Sequence, residues 1–256
     1  MDRFLEYAAT VDPAFLSRIE GASPDEIDRL EAIVGAPLPR DYRRFLELMG
    51  RRDGGIVAGD DVDTAAADVI RFYEKHDAPE GCIVFAVGEG GPVENACLAR
   101  EEPHRVFELG DRAPGPLWAA SLEGLLCHQL FFRAAARRHA HTTVIVTGDR
   151  TPRLELAARF VRTLDLQELW FSDEVAACYE SERESVGIHQ IPDRGLFVRI
   201  STDRSVERLQ FLIDGITAAV GVPMKVSRPT SAAPASDRAT TPTAPAPGGS
   251  APRSRP

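Results

Sequence analysis

Apolar positions recur along this chain first at helical and then at strand spacing, and the points where one rhythm yields to the other mark its elements. Phe4, Ala8 and Val11 fall on one helical stripe, Asp12-Pro13 breaks it, and Phe15, Leu16 and Ile19 form the next. Ser23-Pro24-Asp25-Glu26 supplies a hydroxyl cap, a proline at the first helical position and an acid where a capping box wants one. Ile27, Leu30 and Val34 follow every three or four residues, and Gly35 is placed to leave the helix in a left-handed conformation. After the elbow Pro37-Leu38-Pro39, the repeat Tyr42, Phe45, Leu46 and Met49 predicts a second helix ending at Gly50.

Further on, Asp63 or Thr64 is placed to cap a helix running to about Lys75, and Pro79-Glu80-Gly81 turns the chain into an apolar strand from Cys82 to Val87. Strands and turns alternate until a helix from Leu122 to Arg138. A second unit starts near Thr142 with the strand Thr143–Thr147, followed by an amphipathic helix through Leu154, Ala157, Ala158, Val161 and Leu164. Strands are expected at Glu168–Phe171, Val175–Glu180, Val186–Ile191 and Leu196–Ile200, with Pro192-Asp193-Arg194-Gly195 turning between the last two. Asp203 is the expected cap of a last helix carrying Val206, Leu209, Ile213, Ile216 and Val220, and Val222–Val226 adds a strand. This βα, meander, αβ succession predicts a small α/β sandwich over residues 142–226, ferredoxin-like with an extra strand. Residues 227–256 turn to Pro, Ala, Ser, Thr and Gly with almost no large apolar side chain, so a disordered tail is expected.

Composition narrows the class. The chain has 256 residues, 43% hydrophobic and 27% charged, which suits a soluble protein of two ordinary domains. No apolar run is long enough to span a membrane, and Met1-Asp2-Arg3-Phe4-Leu5-Glu6 lacks the basic start and apolar block of a signal peptide, so a cytoplasmic location is expected. Formal net charge is −9. Residues 1–138 carry −9, residues 139–226 carry −3 and the tail carries +3. An acidic N-terminal half repels nucleic acid and anionic membrane, and it suits a basic protein partner.

The order of signals resembles the SUKH superfamily, the Smi/Knr-like domains. In them an acidic capped helix, a Leu-Pro elbow and a Tyr-x-x-Phe-Leu helix precede a glycine-rich turn, here Gly54-Gly55. Ile83-Val84-Phe85-Ala86-Val87-Gly88 is similar to the family's strand ending in glycine, and Arg105-Val106-Phe107-Glu108-Leu109 to its next strand. Leu117-Trp118-Ala119-Ala120-Ser121-Leu122-Glu123-Gly124-Leu125-Leu126 resembles its closing strand and Ser-capped helix. The resemblance covers roughly residues 15–135, and no single piece of it is specific. It implies an α+β chain in which residues 1–138 form a SUKH-like domain of helices packed on a mostly antiparallel sheet. The function it implies is a non-catalytic binding module: bacterial members commonly serve as immunity proteins that mask a cognate toxin, often a nuclease, and fungal relatives act as regulatory adaptors. The alternative is an intracellular scaffold or regulator with two protein-binding domains.

Candidate chemistry is sparse. Asp60, Asp61, Asp63 and Asp68 are dense in acid but miss the calcium-loop pattern, and a solvated helix start explains them. Charge and loop placement make Asp60, Asp61, Asp63 and Glu89 the candidate contacts to a basic partner. Gly88-Glu89-Gly90-Gly91 lacks phosphate-loop spacing and reads as a loop between strands. Cys82, Cys97, Cys127 and Cys178 are scattered without a Cys-x-x-Cys pair and read as buried reduced thiols. His128, His139 and His141 form no zinc spacing, and Ser121 and Ser172 sit in no nucleophile elbow, so no catalytic residue, metal or cofactor is expected. Glu180, Glu182 and Glu184 read as a solvated strand end or hairpin turn, and Trp118 and Trp170 as core aromatics.

Overall fold

In the computed structural model, the residues described are 1–57, 62–88, 95–110, 113–151, 153–191, 194–226 and 230–231. They form an α+β fold with seven helices and three antiparallel sheets. The chain begins with α1 (Asp2–Val11) and a single 3-10 turn at Phe15–Ser17, as the two apolar stripes predict. Strand β1 (Ile19–Glu20) leads into α2 (Pro24–Val34) and α3 (Arg40–Met49). The capping box is formed on both sides: Ser23 Oγ accepts the Glu26 N–H at 3.3 Å, and the Ser23 N–H donates to Glu26 Oε2 at 2.7 Å. Gly35 closes α2 at φ +72°. Strand β2 (Arg52–Asp53) pairs with β1 and feeds the turn Gly54-Gly55, whose φ values of +72° and +78° explain the two glycines. The Asp53 carboxylate fixes that turn by accepting the N–H groups of Gly55 and Val57 at 2.7 and 3.0 Å.

Strand β3 (Val62–Asp63), helix α4 (Ala66–Tyr73), and strands β4 (Cys82–Gly88), β5 (Asn95–Ala99), β6 (Val106–Leu109) and β7 (Pro114–Ala119) follow in order. The five strands make one antiparallel sheet in sequence order. Its near-continuous apolar strand, β4, is covered by α4 and by Tyr42 of α3, whose ring meets those of Phe45 and Phe85 at 6.3 Å. The Tyr42 hydroxyl donates to Val84 O at 3.4 Å, and the Val84 N–H donates to the Tyr73 hydroxyl at 2.9 Å, so both hydroxyls are satisfied in the core.

Helix α5 (Leu122–Arg138) starts at Ser121, whose Oγ accepts the Gly124 N–H at 3.0 Å. Beyond it lie β8 (His141–Thr147), α6 (Leu154–Val161), β9 (Gln167–Glu168), β10 (Ala176–Glu180), β11 (Glu184–Ile191), β12 (Gly195–Thr202), α7 (Val206–Val220), β13 (Lys225–Val226) and β14 (Thr230–Ser231). The third sheet runs β13-β8-β12-β11-β10-β9, with β14 also pairing β8, and every pairing is antiparallel. Strands β12 and β13 therefore flank β8 and run parallel to each other across α7.

The central strands of the third sheet are buried on both faces. Ala177, Tyr179, Val186, Ile188, Val198 and Ile200 point to α6 and α7, while their alternates Cys178, Gly187, His189 and Phe197 point to α5. Phe132 of α5 meets Phe197 at 5.7 Å. Gly187 has no room for a side chain, since a Cβ there would lie 2.5 Å from the Phe132 ring and 2.8 Å from the Phe131 ring. Phe171 and Cys178 belong to the same continuous core as Phe4, Tyr42 and Phe85. The two halves of the chain thus meet along α5.

Several expectations are corrected. The run Leu169-Trp170-Phe171 is a turn outside β9: Ser172 N–H donates to Leu169 O at 3.0 Å, and Phe171 plugs into the core beside His128. Trp170 is 42% exposed and lies under the Arg3 guanidinium at 3.6 Å, so it is not a core aromatic. The cap of α7 is Ser205, whose Oγ accepts the Arg208 N–H at 3.2 Å, because Asp203 is already engaged by His139 and the Ala140 N–H. The cap of α4 is Ala65, and Asp63 instead accepts the Ala65 N–H at 2.8 Å. Glu184 is 1% exposed and bound to Arg208 through both carboxylate oxygens at 2.8 and 3.0 Å, so it is no part of a solvated hairpin. Pro192, Asp193 and, apart from Thr230–Ser231, the tail 227–256 lie outside the described residues.

Candidate partner-binding surface

Of the four predicted contact residues, Asp63 is described, and Asp60, Asp61 and Glu89 lie outside the described residues. Asp63 is exposed at the edge of the five-stranded sheet, where β3 pairs β4 in the register Asp63↔Val87 and Val62↔Gly88. That register brings positions 62 and 88 side by side. Asp68, in the first turn of α4, adds a fifth acid. Burial, and then the charge and hydrogen bond of Asp63, raise its carboxyl above the ordinary carboxylate range, while an ion pair to Arg71 works the other way.

Next to this edge, α2 and α4 leave a groove of about 350 Å³ lined by Asp25, Glu26, Arg29, Arg71 and Glu74. Arginines already neutralise much of its acid. Arg29 pairs with Glu74 at 2.5 Å and Arg51 with Glu26 at 3.3 Å. A larger groove of about 840 Å³ lies between the end of α2 and the start of β4. Ile33, Val34, Tyr73 and Pro79 give it an apolar lining, and Asp77, Glu80 and Glu101 supply acid against the one cation among its described lining residues, Arg100. An apolar lining with acidic groups suits a basic amphipathic segment better than an anion.

The residues that suggested chemistry serve structure. Ser121 caps α5, and Ser172 Oγ accepts the Cys178 N–H at 3.0 Å. His139 Nδ1 lies 2.9 Å from Asp203 and holds that carboxyl below its ordinary value. All four cysteines are buried and unbridged. Among the described residues there is no group of three or more His, Cys, Asp or Glu side chains that could hold a metal, and no helix is long and apolar enough to cross a membrane.

Sequence reading missed His189, which joins His128 at the seam between α5 and the third sheet. His128 Nε2 contacts Phe171 O at 2.7 Å, and His189 stacks on Phe132 with ring centroids 6.1 Å apart. His128 Nδ1 and His189 Nε2 are buried without a hydrogen-bond partner. Burial, with the charge of His128 added, pushes the His189 imidazole down to about 4, and burial pushes His128 down as well. The alternation His189-Ile188-Gly187 on an apolar strand was the available signal, since it puts an imidazole on a packed face.

An acid dependence follows from this seam. The unfolded chain takes up a proton on His189 near pH 6.5, while the folded chain resists until about pH 4, so falling pH favours unfolding. Stability should drop by about 3 kcal/mol across that window from this group, as read by urea denaturation at stepped pH. His189→Phe should flatten the dependence, and an unchanged slope in that variant would refute the assignment.

No protein-family model matches the chain, and no curated protein or solved structure matches it.

Proposed function

We propose that this chain is a non-catalytic protein-binding module of SUKH type, acting in the bacterial cytoplasm as an immunity protein that masks a basic, nuclease-type toxin domain. The observation that carries the reading is the order of pieces over residues 15–135. A box-capped helix, a Pro-Leu-Pro elbow, a Tyr-x-x-Phe-Leu helix, a glycine turn held by Asp53, an antiparallel sheet and a Ser-capped helix follow in the order in which the family places them. Residues 142–226 are read as a ferredoxin-like variant. The split β12-α7-β13 unit around β8, with β11 beside β12, supports that likeness, and β10 and β9 at the far edge are the addition.

Masking would use the acidic edge at Asp63 with Asp60, Asp61 and Glu89, where negative charge meets a basic partner and speeds its approach. The test of the function is capture of the tagged full-length protein from its native cells. A basic toxin domain recovered in one-to-one amount, and silenced on mixing with the pure protein, supports the reading. Recovery of ordinary cellular proteins alone overturns it in favour of an adaptor. Phe211 and Leu156, 49% and 37% exposed on the outer face of α7 and α6, are the observation that favours that second reading.

With the toxin in hand, Asp61→Lys together with Asp63→Lys should slow association about tenfold at low salt and much less at high salt. Stopped-flow mixing checks this, with the far-ultraviolet spectrum as a folding control. Unchanged kinetics at low salt would remove these acids from the interface.

A further inference from the structure

Cys82 and Cys97 stand on adjacent strands with their Sγ atoms 3.4 Å apart. In the register Cys82 faces Ala99 and Cys97 faces Val84, so the two are diagonal neighbours on one face of the sheet. They are not equivalent. Both are buried, Cys97 at 0% and Cys82 at 1% exposure, and Cys97 donates its S–H to Cys82. Cys82 lines the 840 Å³ groove and opens β4 directly after the Gly81 turn, where the backbone stands at φ +78°.

We propose that Cys82 and Cys97 form a peroxide-oxidisable dithiol, in which Cys82 attacks the oxidant and Cys97 resolves the product to a disulfide tying β4 to β5 beneath the groove. In the first step the Cys82 thiolate attacks one oxygen of hydrogen peroxide, the O–O bond breaks, and the departing hydroxide takes the proton that Cys82 gave up, leaving a sulfenic acid and one water. In the second step Cys97 sulfur attacks the Cys82 sulfur, the S–O bond breaks, and the hydroxyl leaves with the Cys97 proton as a second water. Two thiols and one peroxide become one disulfide and two waters, a two-electron exchange.

The division of roles rests on position, since Cys82 borders the groove and Cys97 does not. A thiolate is the nucleophile, and whichever thiol of the pair ionises keeps the S–H of the other as its donor. Burial raises both thiols, but the contact between them pulls Cys82 back down and pushes Cys97 further up. Closing the bond draws the sulfurs from 3.4 Å to about 2.0 Å. Diagonal strand neighbours stand roughly 7–8 Å apart at Cα, beyond the comfortable range for a disulfide, so the bridge must pull the start of β4 toward β5. Such a strained bond reduces readily, which makes the modification reversible. Cys127 and Cys178 line neither groove and should stay reduced.

The experiment treats the full-length native protein with hydrogen peroxide, quenches it, and counts thiols after denaturation. Titratable thiols should fall from four to two, and the peptide map should join Cys82 to Cys97. Dithiothreitol should restore all four. In Cys97→Ser the reaction should stop at a dimedone-trappable sulfenic acid on Cys82, while Cys82→Ser should trap little on Cys97. Four thiols surviving in the parent protein, or a bridge between any other pair, would overturn the proposal without recourse to a variant. Equal trapping in the two variants would overturn the order of attack.

Discussion

A chain cut after Arg138 is expected to lose its cooperative fold, even though the cut falls where the sequence pattern puts the end of the first domain. Helix α5 carries Leu130, Phe131 and Phe132 at 6%, 2% and 8% exposure, and the last two are covered by Gly187 and Phe197 of the third sheet and by Phe171 in the turn after β9. Each such side chain loses about 1.5–3 kcal/mol when returned to water, so uncovering the phenylalanines and Phe171's partners takes away roughly 5 kcal/mol. A domain's whole stability is about 5–15 kcal/mol. The deletion also removes the Phe171 ring from its place between Tyr7 and Phe131, at 5.0 and 6.2 Å, and leaves Tyr7 on α1 without its cover. The expected result is a fragment with a broad thermal transition, strong binding of a hydrophobic dye and poor amide dispersion. A sharp transition near that of the full chain would show that residues 1–138 are self-sufficient.

That junction also shows which features were legible. The capping box of α2 and the elbow before α3 were, because every residue that makes them lies within a few positions along the chain. The double burial of α5 had a trace in the sequence: Leu122, Leu125, Leu126, Cys127, Leu130, Phe131 and Phe132 spread beyond one stripe, as a helix covered on two sides requires. Leu169-Trp170-Phe171 misled, because three adjacent apolar residues in a turn look like a strand when the contacts that separate them, Arg3 above Trp170 and His128 beside Phe171, come from far along the chain. Glu184 misled for the same reason. Its neighbours Ser181, Glu182 and Arg183 are polar, and its partner lies 24 positions away on α7. Around the candidate surface the acids were legible as charge, but the pairing of Glu74 with Arg29 and of Glu26 with Arg51 was not, since each pair joins residues far apart along the chain.

Arg208→Met is expected to cost about 3 kcal/mol or more, because it strands a buried carboxylate. Glu184 at the start of β11 is 1% exposed, and its oxygens take the Arg208 Nε and Nη2 donors at 2.8 and 3.0 Å and the Thr202 hydroxyl at 3.2 Å. Arg204 stands further off at 3.6 Å and is largely exposed, so it shares little of the load. Burial alone would raise the Glu184 carboxyl, but the hydrogen bonds and charge of Arg208 outweigh it and hold the group below the ordinary range. The parent therefore keeps this contribution above the unfolded carboxyl's pKa and loses it as pH falls through the lower folded value. In Arg208→Met the carboxyl must be desolvated without its donors, so it titrates upward and the variant should lose stability already on the neutral side of that range. Glu184→Met with Arg208→Met removes both charges and fills the same space with apolar atoms, and should recover most of the loss. Urea denaturation of the parent, both single variants and the double variant closes the cycle. A single Arg208→Met within about 1 kcal/mol of the parent would place the pair among ordinary surface ion pairs, which contribute no more than that.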